Sequence, residues 1–156
     1  MHERTPHYDE DFFAWTQVQA AGLRDAQGAE LDYGNLAEEI ESLGKSQWHA
    51  LENRLAVLVR HLLKWRYQHA TRPRGRSWRS TIWEQRSRIR RLLRQSPSLR
   101  PHVLGRLVEE YASLRQRTLD ETGLSPAVLP EQCPWTVEDI LDEAFWPEVP
   151  PAGEER

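Results

Sequence analysis

Apolar residues recur along this chain at steps of three and four, the period of a helix with one buried face, and nowhere alternate as a half-buried strand would. The first such stretch carries Phe12, Trp15, Val18 and Leu23. Asp9 is placed to cap it, Glu10 and Asp11 suit the positive end of its dipole, and the glycines from Gly22 to Gly28 end it. The run LDYGNLAEEIESLG opens the longest helix, with Asp32 or Asn35 as cap and Glu38 three residues after Asn35 in a capping box. Leu36, Ile40 and Leu43 share one face, and Leu51, Leu55, Leu58, Leu62 and Trp65 share another. The two series are out of register by one residue. The slip falls at Gly44, a poor helix-interior residue, and predicts a kink or break there. Continuous to Gln68, the helix would be about 50 Å long at roughly 1.5 Å per residue. Between Leu55 and Trp65, Ala56, Val57, Val59 and Leu63 extend the apolar surface almost all round, which marks this part as central in a bundle.

The stretch ATRPRGR, with Pro73 and Gly75, breaks that helix, and Ser77 is expected to cap a third one carrying Trp78, Ile82, Ile89, Leu92 and Leu93. Ser96, Pro97 and Ser98 separate it from a fourth with Leu104, Leu107, Tyr111, Leu114 and Thr118, which Thr122, Gly123 and Leu124 close as a glycine cap. LSPAVLPEQCPW reads as an extended crossing, Thr136 with Asp139 starts a short helix through Ala144, and FWPEVPPAGEER reads as a tail. The expected architecture is an all-α, up-and-down bundle of about four main helices with a long central helix and a short C-terminal one. One domain over residues 8–147 and a flexible tail over residues 148–156 are expected.

Composition changes this picture in one respect. With 156 residues, 38% apolar and 29% charged, the chain is long and apolar enough to fold without disulfides. A lone Cys133, a charged N-terminal stretch unlike a signal peptide, and no apolar run near 18 residues lead to the expectation of a cytoplasmic protein that avoids membranes. The net charge of -3, however, hides a sharp partition. Residues 1–59 hold 4 basic and 11 acidic side chains, residues 60–106 hold 14 basic and only Glu84, and residues 107–156 hold 3 basic and 12 acidic.

The candidate chemistry is sparse. Glu38, Glu39 and Glu41 crowd one turn, but on the phase set by Leu36, Ile40 and Leu43 only Glu39 reaches the core edge, where it can meet an arginine. His61 lies beside the Leu58, Leu62 and Trp65 face and needs a hydrogen-bond partner. No histidine has a glutamate three residues before it, which excludes the di-iron bundle pattern, and HExxH, the phosphate loop and the serine elbow are absent. No cofactor is expected. Trp65 closes the helical seam and, with His61, Trp78 and Ile82, forms the structural core of the junction between the second and third helices; Lys64 points off the seam and should tolerate truncation better. The basic block offers the most specific functional signal, because Trp65, Tyr67, Trp78 and Trp83 are interleaved with its arginines, as in an electrostatic footprint with stacking platforms. Arg79, Arg86 and Arg90 flank the apolar face and can pair with the acidic flanking segments. Arg72, Arg74, Arg76, Arg88 and Arg91 are left to face a partner.

LDYGNLAEEIESLG, HLLKWRYQ, SWRSTI, SPSL, ETGL and CPW, in this order, resemble the bacterial domain-of-unknown-function 29 family from about Tyr8 to Pro147. The resemblance implies an all-helical fold and no assigned activity, cofactor or catalytic residue. The family positions matched here that can carry function are Glu39, His61, Lys64, Trp65, Arg72, Trp78 and Arg86; His69 stands where the family usually has proline. The leading expectation is a non-catalytic interaction module that binds an acidic protein or nucleic acid through its arginine-rich face. The rival is a metal-assisted hydrolase using Glu39 and His61, which distance alone decides.

Overall fold

In the computed structural model, which describes residues 6–26, 32–68 and 75–149, Asp11 rather than Asp9 caps the first helix. Its carboxylate accepts the Ala14 N–H at 2.9 Å, and it also accepts the Ser98 N–H at 2.6 Å and the Ser98 hydroxyl at 2.9 Å. One residue thus satisfies an orphan donor of the helix and ties down a distant turn. Asp11 can do both because the polar stretch around Ser98 returns to it, which local spacing does not show.

The helices are α1 (Phe12–Asp25), α2 (Tyr33–Tyr67), α3 (Gly75–Gln95), α4 (His102–Thr122) and α5 (Val137–Leu141), with a 3-10 turn at Pro97–Leu99. No strand occurs among the described residues, so the fold is all-α with four main helices and a short fifth. None of these helices is long and apolar enough to cross a membrane. Two compact units are drawn from them among the described residues. The first takes residues up to Glu52 plus Arg91–His102; the second takes Asn53–Arg90 and the chain from Val103 onward.

In the first unit the buried face of α1 is Thr16 and Ala20, whereas Val18 is exposed and Phe12 and Trp15 are only half-buried beneath Tyr8. Small side chains line the buried face because α2 comes close there. A Cβ on Gly44 would fall inside contact distance of Thr16 Oγ1, 2.8 Å from Gln17 Nε2 and 3.4 Å from Phe13 Cδ2. Accordingly α2 runs unbroken through Gly44, and the predicted break is absent. Its inner residues in this half are Ala37 and Gly44, while Leu36 and Leu43 are 41% and 52% exposed. Ala37, Gly44, Leu51 and Leu58 follow a seven-residue step, so the seam keeps one register throughout. The apparent slip came from scoring two exposed leucines above a buried alanine and glycine.

In the second unit Leu55, Leu58, Val59, Leu62 and Leu63 of α2 are buried, as are Ile82, Arg86 and Ile89 of α3. Helix α3 begins at Gly75, so Ser77 lies inside it and its carbonyl accepts the Thr81 hydroxyl. On α4 the inner row starts at Val103, with Leu104 59% exposed, and continues through Leu107, Tyr111, Leu114 and Thr118. Gly123 ends α4 at φ 69°, a left-handed conformation that favours glycine, and its N–H reaches the Leu119 carbonyl at 2.8 Å. The proline-punctuated crossing is fastened by α4: Tyr111 donates its hydroxyl to the Pro130 carbonyl at 3.0 Å, and Arg115 donates to the carbonyls of Pro126, Leu129 and Pro130. Thr136 and Asp139 form the expected capping box, but α5 ends at Leu141.

Gly44→Ala tests the close approach. An exposed helix position would gain about 1 kcal/mol from this change. Here we expect a net loss of about 1–3 kcal/mol through overpacking against buried Thr16. In chemical denaturation, Gly44→Ala combined with Thr16→Ala should lose less than the sum of the two single variants.

Candidate functional site

The basic residues of α3 divide by helical phase. Arg86 sits four residues after Ile82 and three before Ile89, on the apolar stripe, and is fully buried. Its Nε–H donates to the Ile140 carbonyl at 2.8 Å, whereas Nη1 and Nη2 have no partner among the described residues. Burial pulls its pKa down from the ordinary guanidinium value; Asp142 opposes this and Arg90 adds to it. Arg86 and Arg79 stack on Trp146, with guanidinium carbons 5.4 and 5.1 Å from the ring centre. Trp65 meets the same indole at 4.9 Å between centroids, and Arg90 forms an ion pair with Glu143. The segment read as a tail is therefore packed as far as Pro147, which is buried. Trp65 is pinned by Trp146 of that segment, a contact partner other than the expected Trp78 or Ile82. Of the expected junction core, Ile82 is buried, and His61, Trp65 and Trp78 are half-buried.

Lys64 points away from the Leu51–Leu62 seam, as helical phase requires, but it is only 6% exposed. That side of α2 is covered too, and Glu121 of α4 binds both Lys64 and Arg60 there. The expected tolerance of Lys64 is thus corrected: in a helix buried all round, leaving the seam does not mean reaching water. Burial alone would raise the Glu121 carboxyl, but Lys64 and Arg60 outweigh it and hold the group below its ordinary value. His61 donates Nδ1–H to the Val57 carbonyl at 2.8 Å, leaving Nε2 bare in the neutral ring. Burial holds its pKa below the ordinary 6.5, and nearby Lys64 and Arg60 act in the same direction.

The pairing of Glu39 with His61 fails on distance. They stand 22 residues apart on one unbroken helix, about 33 Å at 1.5 Å per residue, while a shared metal allows about 2 Å to each ligand. Among the described residues no three His, Cys, Asp or Glu side chains are placed to hold a metal ion. Glu39 is exposed, and it is Glu41 that meets an arginine, Arg24, because the true inner face runs through Ala37 and Gly44.

The outward face of α3 is different. Arg76, Arg91 and Arg94 are exposed, with no ion pair or hydrogen bond among the described residues. Trp83 lies on the same side as Arg76 and is 60% exposed. Arg88, expected to be unpaired, bonds Glu84 one turn before it, a pair that the spacing already offered. Arg72 and Arg74 lie outside the described residues. The sequence reading missed Glu121, Glu143 and Trp146, whose roles depend on partners 53 to 81 residues away.

Fold and site together define an all-helical protein whose basic third helix is packed on one flank by the chain's own acidic, aromatic C-terminal segment and carries Arg76 and Trp83 exposed away from it. The chain belongs to the family described as "Domain of unknown function DUF29", which matches residues 7–146. It is also similar to an alpha-helical protein of unknown function from Rhodospirillum rubrum, known from a crystal structure, with 27% identity and a TM-score of 0.67 over 91% of this chain and 93% of that one. No curated protein matches it.

Two outcomes follow from this geometry. Lys64→Ala should cost about 1–3 kcal/mol through its buried stem and lost pairing, a loss of the same order as that of Trp65→Ala, with Lys64→Met recovering most of it in denaturant melts. Because folding lowers the His61 pKa, its contribution is fully present above about pH 6.5 and is lost as pH falls through the lowered value. Glu121 acts at lower pH, contributing above its ordinary value and losing its contribution as pH falls through the depressed one. Thermal melts between about pH 7.5 and about pH 5.5 should show the wild type losing stability more steeply than His61→Gln, whose amide can still reach the Val57 carbonyl.

Proposed function

We propose that this protein is a non-catalytic interaction module that binds an acidic macromolecule through the outward face of α3. The reading is carried by one observation, the exposed Trp83 indole sharing a helix face with Arg76, which is exposed and makes no ion pair or hydrogen bond among the described residues. A free indole is costly to leave in water, and Arg76 stands two turns before it on the same side. That combination suits single-stranded nucleic acid, whose bases stack on an aromatic face while its phosphates meet guanidinium groups. Arg79, Arg86 and Arg90 take no part, because the chain itself occupies them. An acidic protein is the second reading; it uses the same arginine and draws less from the indole.

Anisotropy of a labelled single-stranded oligonucleotide tests the proposal. Binding should weaken steeply between about 50 mM and about 200 mM salt. Trp83→Ala should cost about 1–3 kcal/mol, and Arg76→Glu should lower the salt slope. Retention of an acidic protein from nuclease-treated lysate, sensitive to Arg76→Glu but not to Trp83→Ala, would favour the second reading. No binding of either kind would end the proposal.

A further inference from the structure

A second site of different chemistry lies in the first unit. Tyr8, Asp9, Phe12, Gln47 and Gln95 line a cleft of about 410 Å³, a volume suited to a small molecule. Tyr8 stands edge-on to Phe12 at 5.4 Å and to Trp15 at 5.0 Å, so neighbouring rings hold its own ring in place. Among the described residues the Asp9 carboxylate, the Gln95 amide and the Tyr8 hydroxyl make no hydrogen bond or ion pair, and no lysine or arginine lines the cleft.

We infer that this cleft binds an organic cation, an ammonium or guanidinium group carried on an apolar body. Two features select this class. The Asp9 carboxylate, with no basic residue lining the cleft among the described residues, attracts a positive charge and repels an anion. The rings of Tyr8 and Phe12 line the same cleft, where an aromatic ring attracts a cation and accepts its apolar part. A bare divalent metal fits poorly, since one carboxylate and two amides give too few oxygen ligands for calcium or magnesium. The site is independent of the α3 face and stands or falls separately.

Amide-resolved NMR titration of the full chain tests it, with the Gln47 and Gln95 side-chain NH₂ signals as reporters. Benzylamine should shift them saturably, and benzoate, of similar shape and opposite charge, should not. Asp9→Asn should weaken benzylamine about tenfold or more, the effect of losing a charge-assisted hydrogen bond. Asp9 is exposed, so this variant should melt like the wild type. N-acetyl-arginine methylamide separates the two natural sources: tighter binding than benzylamine assigns the side chain of a partner protein, and weaker binding a free amine. The inference is overturned if benzoate binds as well as benzylamine, if Asp9→Asn leaves the affinity unchanged, or if no cation shifts the two glutamine signals.

Discussion

The approach of α1 to α2 at Gly44 sets the rotation of the longest helix, and much else follows from that rotation. With no side chain at Gly44, Thr16 and its neighbours on α1 sit against the backbone of α2. Within the first unit, the turn of α2 set at this point decides which of its neighbouring residues face inward. Ala37 goes inward and Leu36 and Leu43 go outward; Glu41 comes within reach of Arg24, and Glu39 is left in solvent. A side chain at this point would force the helices apart or rotate α2, at the expense of both outcomes.

Charge partition, the most visible feature of the sequence, is met in part inside the second unit. Glu121 binds Arg60 and Lys64, Glu143 binds Arg90, and Glu109 and Glu110 bind Arg106. Apart from the buried Lys64, these pairs are exposed or half-exposed and contribute little each to stability. The C-terminal segment is positioned instead by groups with fixed geometry: the Trp146 ring between Trp65 and two guanidinium groups, and the Ile140 carbonyl on the Arg86 Nε. The buried Arg86 thus acts less as a charge than as a rigid donor that locates one backbone carbonyl.

The two surfaces described above have opposite chemistry. The outward face of α3 offers a guanidinium group and an indole, whereas the Tyr8 cleft offers a carboxylate and aromatic rings. Local phase produces the first. The second arises because the residues before α1 fold back beside Gln47 and Gln95, which belong to other helices.

Helix number, order and approximate ends were legible in the sequence, because each helix buries a face at a period of 3.6 residues and ends at residues with a backbone reason to end it, such as Gly123 and Thr136. Arg86 was expected at the edge of the apolar face, paired with an acidic segment; it is buried in phase with Ile82 and Ile89 and bonds a backbone carbonyl, since its helical position was visible but its partner was not. The inner face of the first half of α2 was not legible. Hydrophobicity favours leucine over glycine, but a close helix crossing selects for small size, and only the partner helix shows that the crossing is close. The partners of Lys64, Trp65 and Arg90 were also decided by tertiary structure. A charge or an aromatic ring states what kind of partner it needs, and which residue supplies that partner depends on how distant segments return to one another in space.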